Sequence, residues 1–230
     1  MKIRRKSLYT GARDAKGLSV IIDVFRAYSV AGYVFGNGAE KILLTQTIED
    51  ALAIKKKNPD FILMGEKKGL RPEGFDYGNS PYDVSKLDFR DKRIAMVTQA
   101  GTQGIHLAKS ADEVLAGSFL CIGAIVRYIQ KRNPKIVTLV GMGAAGRRKR
   151  DEDELCADYI QLSLEGGKPD FKKMKTYLRT YMSAKKFFNK NLPEFPEQDF
   201  ECSLDLDRFD FVMKAYRQNG KIWLKKEDVS

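Results

Sequence analysis

Asp23, Glu66, the turn Thr98-Gln99-Ala100-Gly101-Thr102 and the turn Gly141-Met142-Gly143-Ala144-Ala145-Gly146-Arg147 each follow an apolar, β-prone run. Carboxylates beside glycine-rich turns suit phosphate chemistry. A hard divalent cation takes carboxylate oxygens, and backbone N–H groups at a turn entering a helix attract an anion with help from the helix dipole. Arg26, one turn beyond Asp23, and Lys67, beside Glu66, add positive charge, while Glu152 and Asp153 offer further oxygens. Together they read as an anion cradle with a Mg²⁺ site, the cation bridging a phosphoryl group between carboxylates and N–H donors. Each element also has a plainer reading. Asp23 could cap the next helix, Glu66 could pair with Lys67 or Lys68 on a solvated loop, and the acidic residues 151–154 could simply complement a helix N-terminus.

Two other spacings carry less. Cys121 and Arg127 match the Cys-x5-Arg spacing of thiolate phosphatases, but Ile122 to Val126 reads as an apolar helix face, which makes Cys121 a buried structural residue. The single histidine, His106, reads as structural, with proton donation to a leaving group as its functional alternative.

The elements that must position these residues follow from local pattern. Leu18–Val24, Lys41–Leu44, Phe61–Met64, Arg93–Thr98, Glu113–Ala116 and Lys135–Val140 are strand-like runs rich in β-branched or apolar residues. Helical stretches separate most of them: from about Arg26 to Gly36, from Thr47 to Ile54, Phe119 to Lys131 and Asp151 to Leu164. Thr47 and Asp50 have the spacing of a helix start. The alternation predicts a three-layer α/β/α fold around a mixed, mostly parallel sheet, with the strand ends meeting at one crevice. Glu201–Leu206 reads as a further strand. Phe211–Arg217 and Lys221–Lys225 flank Asn219-Gly220, a hairpin signal, and the expectation is an antiparallel hairpin added at the sheet edge. Residues 1–230 are expected to form one unit, with an alternative of two similar lobes dividing near 110–120 whose sheets the C-terminal strands complete.

Composition narrows the class. The apolar runs fall well short of the roughly 20 residues that span a bilayer, and no apolar segment follows the charged N-terminus to make a secretory signal. Three cysteines without paired spacing point to reduced thiols and a cytoplasmic setting. One histidine leaves oxygen as the ligand for any metal, which favours Mg²⁺. The net charge of +11 is scattered, from Lys55-Lys56-Lys57 to Arg147-Arg148-Lys149-Arg150 and beyond. It suits a field that draws a small anionic substrate better than a nucleic-acid face, and nothing marks a membrane partner.

Ile21-Ile22-Asp23-Val24-Phe25-Arg26-Ala27-Tyr28-Ser29, Gly65-Glu66-Lys67, the intact loop Gly74-Phe75-Asp76-Tyr77-Gly78-Asn79-Ser80-Pro81, the Thr98–Thr102 turn, the stretch Asp151–Asp158 and the ending Asp205–Phe209 occur in the order seen in one family. On these residues the chain resembles the 2-phosphosulfolactate phosphatase family of the coenzyme M biosynthetic route. The resemblance implies Mg²⁺-dependent hydrolysis of 2-phospho-3-sulfolactate or a related phosphorylated hydroxy acid. On that footing Asp23, Glu66 and Asp153 are the expected metal ligands. Arg26 and the N–H groups near Gly101 are expected to hold the phosphoryl oxygens, with Asp23, Arg26 and Glu66 catalytic. Lys67, Asp76, Asn79, Ser80, Gln99, Gly101, Thr102 and Arg147 are the expected substrate-binding set. Attack by water is favoured over an aspartyl-phosphate, because Phe25 breaks the Asp-x-Asp pattern of aspartate-nucleophile phosphatases. Lys67 stands where the family has Arg, Gln99-Ala100 where it has Thr-Asn, and Gly117-Ser118-Phe119-Leu120 where it has Asn-Ala-Arg-Ala. These changes fall at positions expected to face the sulfonate end. A homodimer is compatible with the sequence. The competing classes are a non-catalytic anion- or nucleotide-binding protein and a nucleic-acid-binding protein.

Overall fold

The strand carrying Asp23 shows how the layers form. In the computed structural model, which describes residues 1–229, strand Gly17–Ile22 alternates its side chains between two cores. Leu18, Val20 and Ile22 pack on one face with Ile125, Ile160, Leu178 and Phe200. Ile21 packs on the other with Ala12, Val34 and Ile105. A strand buried on both faces needs helices on both sides.

In chain order the elements are β1 (Lys2–Ser7), α1 (Leu8–Arg13), β2 (Gly17–Ile22), α2 (Ala27–Gly36), β3 (Lys41–Leu44), α3 (Ile48–Lys57), β4 (Ile62–Gly65), α4 (Pro81–Ser85), β5 (Arg93–Val97), α5 (Gly101–Leu107), β6 (Ala111–Gly117), α6 (Ile122–Arg132), β7 (Ile136–Gly141), α7 (Asp151–Leu164), α8 (Phe171–Thr180), α9 (Glu197–Ser203), β8 (Phe211–Gln218) and β9 (Lys221–Asp228). Helix α3 begins as expected, with the Thr47 hydroxyl accepting the Asp50 N–H at 3.0 Å. The β8–β9 turn at Asn219-Gly220 has positive φ at both residues, +51° and +71°, the geometry of a tight two-residue hairpin.

The nine strands make one mixed sheet in the order β1-β7-β2-β6-β8-β9-β3-β5-β4. Strands β1, β7, β2 and β6 are mutually parallel, as are β3, β5 and β4. The antiparallel hairpin β8–β9 lies between the two groups, β8 on β6 and β9 on β3. It is therefore central, not an added edge. Val212, Met213, Ile222 and Leu224 are buried accordingly.

One consequence governs the site. Three antiparallel pairings separate the groups, so β2 and β5 run in opposite senses, yet their C-terminal ends meet. Four strands lie between them. A twist of roughly 20–25° per strand accumulates to about a right angle or more over that span and swings both sets of strand ends towards one crevice. The sequence-based expectation of a single parallel crevice is replaced by a convergence that depends on twist.

One local expectation is corrected, and one strand has no counterpart in the sequence reading. Glu201–Leu206 is not a strand: α9 covers Glu197–Ser203, because Phe200, Ser203 and Leu204 bury one helical face beside the Phe187 and Phe188 rings. The charged N-terminus supplies β1, an edge strand pairing Lys2–Ser7 with Ile136–Gly141. Charged residues are what an edge strand tolerates, and Arg5 is bonded by Glu154 and Asp158 of α7.

Candidate active site

Asp23 leaves β2 at its C-terminal end and is 7% exposed. Its Oδ2 accepts the Gly101 N–H at 2.7 Å and its Oδ1 the Ala27 N–H at 3.3 Å, so both sheet groups orient one carboxylate. Glu66 follows β4. Gly65 before it has φ +150°, and a Cβ there would lie 2.0 Å from the Val97 carbonyl, so only glycine lets the chain turn this close to β5. Glu66 then accepts the Gln99 N–H on Oε1 at 2.8 Å and the Gly69 N–H on Oε2 at 2.6 Å.

Asp23 and Glu66 line the same cavity of about 240 Å³, with Arg26, Lys68, Asn79, Thr98, Gln99, the 143–145 turn, Lys186 and Phe195 around it. Burial pushes the Asp23 carboxyl up to about 7; the Glu66 and Glu152 charges add to this, while the Ala27 and Gly101 N–H bonds oppose it. Asp153 lies behind the wall, buried, with Oδ1 accepting the Val24 N–H at 2.8 Å and Oδ2 the Gly143 N–H at 2.7 Å. Its carboxyl is pushed well up by burial and then by Glu152 and Asp23.

The expected anion cradle is partly filled from within. The Gly101 and Gly143 N–H groups donate to Asp23 and Asp153, because buried donors at turns must find acceptors and these carboxylates are the nearest. Arg26 is in the cavity wall and 3% exposed. Its Nη1 donates to Asp199 at 2.5 Å and to the Glu194 carbonyl at 2.8 Å, its Nη2 to the Gly69 carbonyl at 3.3 Å, and its guanidinium lies over the Phe195 ring at 4.4 Å.

The other sequence-predicted residues divide. Asn79 lines the cavity, and its Oδ1 is buried without a protein partner, which is what a ligand-contacting amide looks like in the free protein. Lys67 is exposed and borders the adjoining groove with Glu66, Gln99 and Tyr9. Ser80 donates to Asp199 at 2.6 Å and caps α4. Thr102 is fully buried and bonds the Thr98 carbonyl at 2.7 Å. Asp76 is bound by Lys55 and by the Leu63 N–H at 2.7 Å, off the cavity lining. Arg147 is exposed on its turn and also off the lining.

His106 is elsewhere: it borders a larger cavity of about 450 Å³ near Lys57 and Lys221, with its ring nitrogens against the Gln46 amide and the Leu44 carbonyl. Cys121 is wholly buried with its thiol pushed up by burial and by Asp207, and Arg127 pairs with Asp210, so no thiolate loop forms.

Sequence reading missed Lys186. It comes from a short 3-10 turn, Lys185–Phe188, in the segment joining α8 to α9. In sequence the stretch around Asn189 to Gln198 reads as polar chain, and the Lys185-Lys186 pair reads as one of the scattered surface charges. The segment brings Lys186 and Phe195 into the lining of the cavity that also holds Glu66 and Asn79.

Among the described residues, no cluster of three or more metal-ligating side chains is assembled. The donor set fits a lighter arrangement. Magnesium takes one or two carboxylates and completes its shell with water and substrate oxygens. Asp23 and Glu66 face one cavity and repel each other, a charge pattern that a divalent cation would balance.

The three-layer α/β fold brings buried carboxylates and cationic side chains onto one small cavity, an arrangement suited to a small anionic ligand. A family model described as 2-phosphosulpholactate phosphatase matches residues 5–218. A protein of Bacillus subtilis (strain 168) described as a probable 2-phosphosulfolactate phosphatase is 32% identical over 209 residues, 89% of each chain. One of the same description from Caldanaerobacter subterraneus subsp. tengcongensis is 31% identical over 224 residues, 90% of this chain and 91% of the relative. Another from Clostridium novyi (strain NT) is 36% identical over 142 residues, 61% of this chain and 60% of the relative. The chain belongs to the 2-phosphosulpholactate phosphatase family and is a phosphoric monoester hydrolase of that type.

Proposed function

We propose that this protein hydrolyses the phosphate ester of 2-phospho-3-sulfolactate, with water as co-substrate and Mg²⁺ as cofactor, releasing sulfolactate and inorganic phosphate. The observation that carries this reading is the pairing of Asp23 and Glu66 on one cavity, each carboxylate fixed by two backbone N–H groups from separate segments. Asp23 and Glu66 would hold the metal, which when bound would draw charge from the phosphoryl oxygens. Asp153, bonded to the backbone beside Asp23, keeps the Val24 and Gly143 turns in place rather than facing the substrate.

The chain's own contribution is preorganisation. Fixed carboxylates need no rearrangement as charge develops. The Arg26 guanidinium is held on the Phe195 ring in the cavity wall, and the Asn79 amide is free to orient the substrate. No helix among the described residues is long and apolar enough to cross a membrane. All three cysteines are unpaired, which suits a reducing, cytoplasmic setting.

The test is phosphate release from 2-phospho-3-sulfolactate by chelator-treated protein, with and without added Mg²⁺, beside Asp23→Asn. The expected result is turnover that returns with Mg²⁺ and is lost in the folded variant. Folded wild-type protein that cleaves no ester, yet is stabilised by the compound, would make it a binding protein instead. Full turnover without divalent metal would remove Mg²⁺ from the reading.

A further inference from the structure

Lys186 is an ammonium on the wall of the cavity that has no carboxylate at ion-pair distance among the described residues. Arg26, its cationic neighbour, is neutralised by Asp199 at 2.5 Å. Phe187 and Phe195 hold the Lys186 Nζ at 5.0 and 4.8 Å from their ring centroids, so the charge is positioned as well as unpaired. A charge drawn out of water without a partner is costly. Burial, and then Arg26, pull this ammonium down to about 8, while Glu152 and Asp23 act the other way. A neighbouring anion from a ligand would relieve that cost.

We propose that Lys186 is the specificity residue of this cavity, binding the sulfonate of the substrate while the phosphoryl group sits at Asp23 and Glu66. The inference rests on the phosphatase reading above and goes beyond it by assigning the far end of the substrate. The two ends differ in chemistry. Asp23 and Glu66 are carboxyl groups that would take a phosphoryl group together with a cation, whereas Lys186 offers a positive charge beside aromatic rings. A sulfonate is a monoanion that keeps its charge at all ordinary pH, and an ammonium supplies a compact opposing charge with three donors. The cation at residue 67, where the family resemblance expects this recognition, is exposed in the adjoining groove and off the cavity lining.

The test compares wild type, Lys186→Met and Lys186→Arg on 2-phospho-3-sulfolactate and on 2-phospholactate, which lacks the sulfonate but keeps the carboxylate and the ester. Removing a charge-assisted contact should raise KM for the sulfonated ester by roughly 10- to 100-fold. The expected pattern leaves kcat nearly unchanged, leaves 2-phospholactate kinetics near wild type, and shows partial recovery in Lys186→Arg. Equal losses on both esters, or no loss on either, overturn the proposal while wild-type turnover keeps the phosphatase reading. If the wild type cleaves neither ester, that reading fails separately. Thermal shift by sulfolactate itself then decides: a shift in wild type absent from Lys186→Met supports the anion site, and an equal shift in both overturns it.

Discussion

The Asp23 carboxylate accepts the Gly101 N–H at 2.7 Å, although Asp23 ends β2 and Gly101 opens the helix after β5, in strand groups that run in opposite senses. That bond, together with the Tyr28 hydroxyl donating to the Gly101 carbonyl at 2.6 Å, joins the two halves of the sheet at the candidate active site. It explains why residue 101 is glycine without appeal to turn geometry. A Cβ there would stand 2.9 Å from Asp23 Oδ2 and 3.1 Å from both the Ala27 Cβ and the Tyr28 ring.

Gly101→Ala should therefore push the Asp23 carboxylate off its position while the protein still folds. Small displacements of a catalytic group cost on the order of a hundredfold in rate. The expected outcome is a fall of that size in kcat, with an unfolding midpoint only slightly lowered. Wild-type kcat in this variant would mean that the position of Asp23 does not limit the reaction.

The buried Arg26–Asp199 pair predicts a stability effect with a specific asymmetry. The two side chains are 2% and 0% exposed, and Asp199 also accepts Ser80 at 2.6 Å and the Tyr82 N–H at 3.0 Å. Burial pushes the Asp199 carboxyl up in spite of Arg26, so the intact pair contributes little net stability. Breaking it by Asp199→Ala leaves a buried guanidinium uncompensated, at a cost of about 3–5 kcal/mol. Urea denaturation reads this directly. A loss under about 1 kcal/mol would show that Arg26 reaches water or another anion once released.

The central hairpin makes the C-terminus indispensable. A chain ending at Arg208 would leave β6 and β3 without their antiparallel partners and open the sheet in its middle. The expected product shows no cooperative unfolding in urea monitored by circular dichroism. A milder version is Leu224→Ala, where a fully buried side chain in β9 is truncated at a cost of about 2–5 kcal/mol. An edge hairpin would give far smaller effects in both.

Glu113 in β6 gives a pH prediction away from the site. Burial pushes its carboxyl up, but hydrogen bonds from Lys214, Arg132 and Tyr128 outweigh this and bring it to about 2. These bonds are 2.9, 2.6 and 2.7 Å long. A carboxyl lower in the folded than in the unfolded chain stabilises above the unfolded value near 4.5 and loses this contribution as pH falls towards 2. The stability gap between wild type and Glu113→Gln, about 2 kcal/mol near neutrality, should close over that interval. A gap constant from pH 6 to pH 2 would show that Glu113 acts through packing alone.

Much was legible in the sequence because it was written locally. Thr47 and Asp50 announced the start of α3, and Asn219-Gly220 the hairpin turn, since caps and tight turns depend on residues only a few positions apart. The run before Asp23 and the short apolar run before Gly65-Glu66 announced strands with a carboxylate just beyond each end. Where local pattern misled, a distant surface had decided: Glu201–Leu206 alternates like a strand but is drawn into and beyond a helix by the Phe187–Phe188 ring cluster.

What sequence by itself determined was which residues lie at strand ends and which family the chain resembles. Only the tertiary structure decided that the hairpin is central, that two opposed strand groups meet through twist, and that Lys186 rather than Lys67 faces the cavity holding Asp23 and Glu66. The physical reason is range. Strand and helix preferences follow from neighbouring residues, whereas pairing order, accumulated twist and the partner of a buried charge depend on surfaces that meet only after the whole sheet has formed.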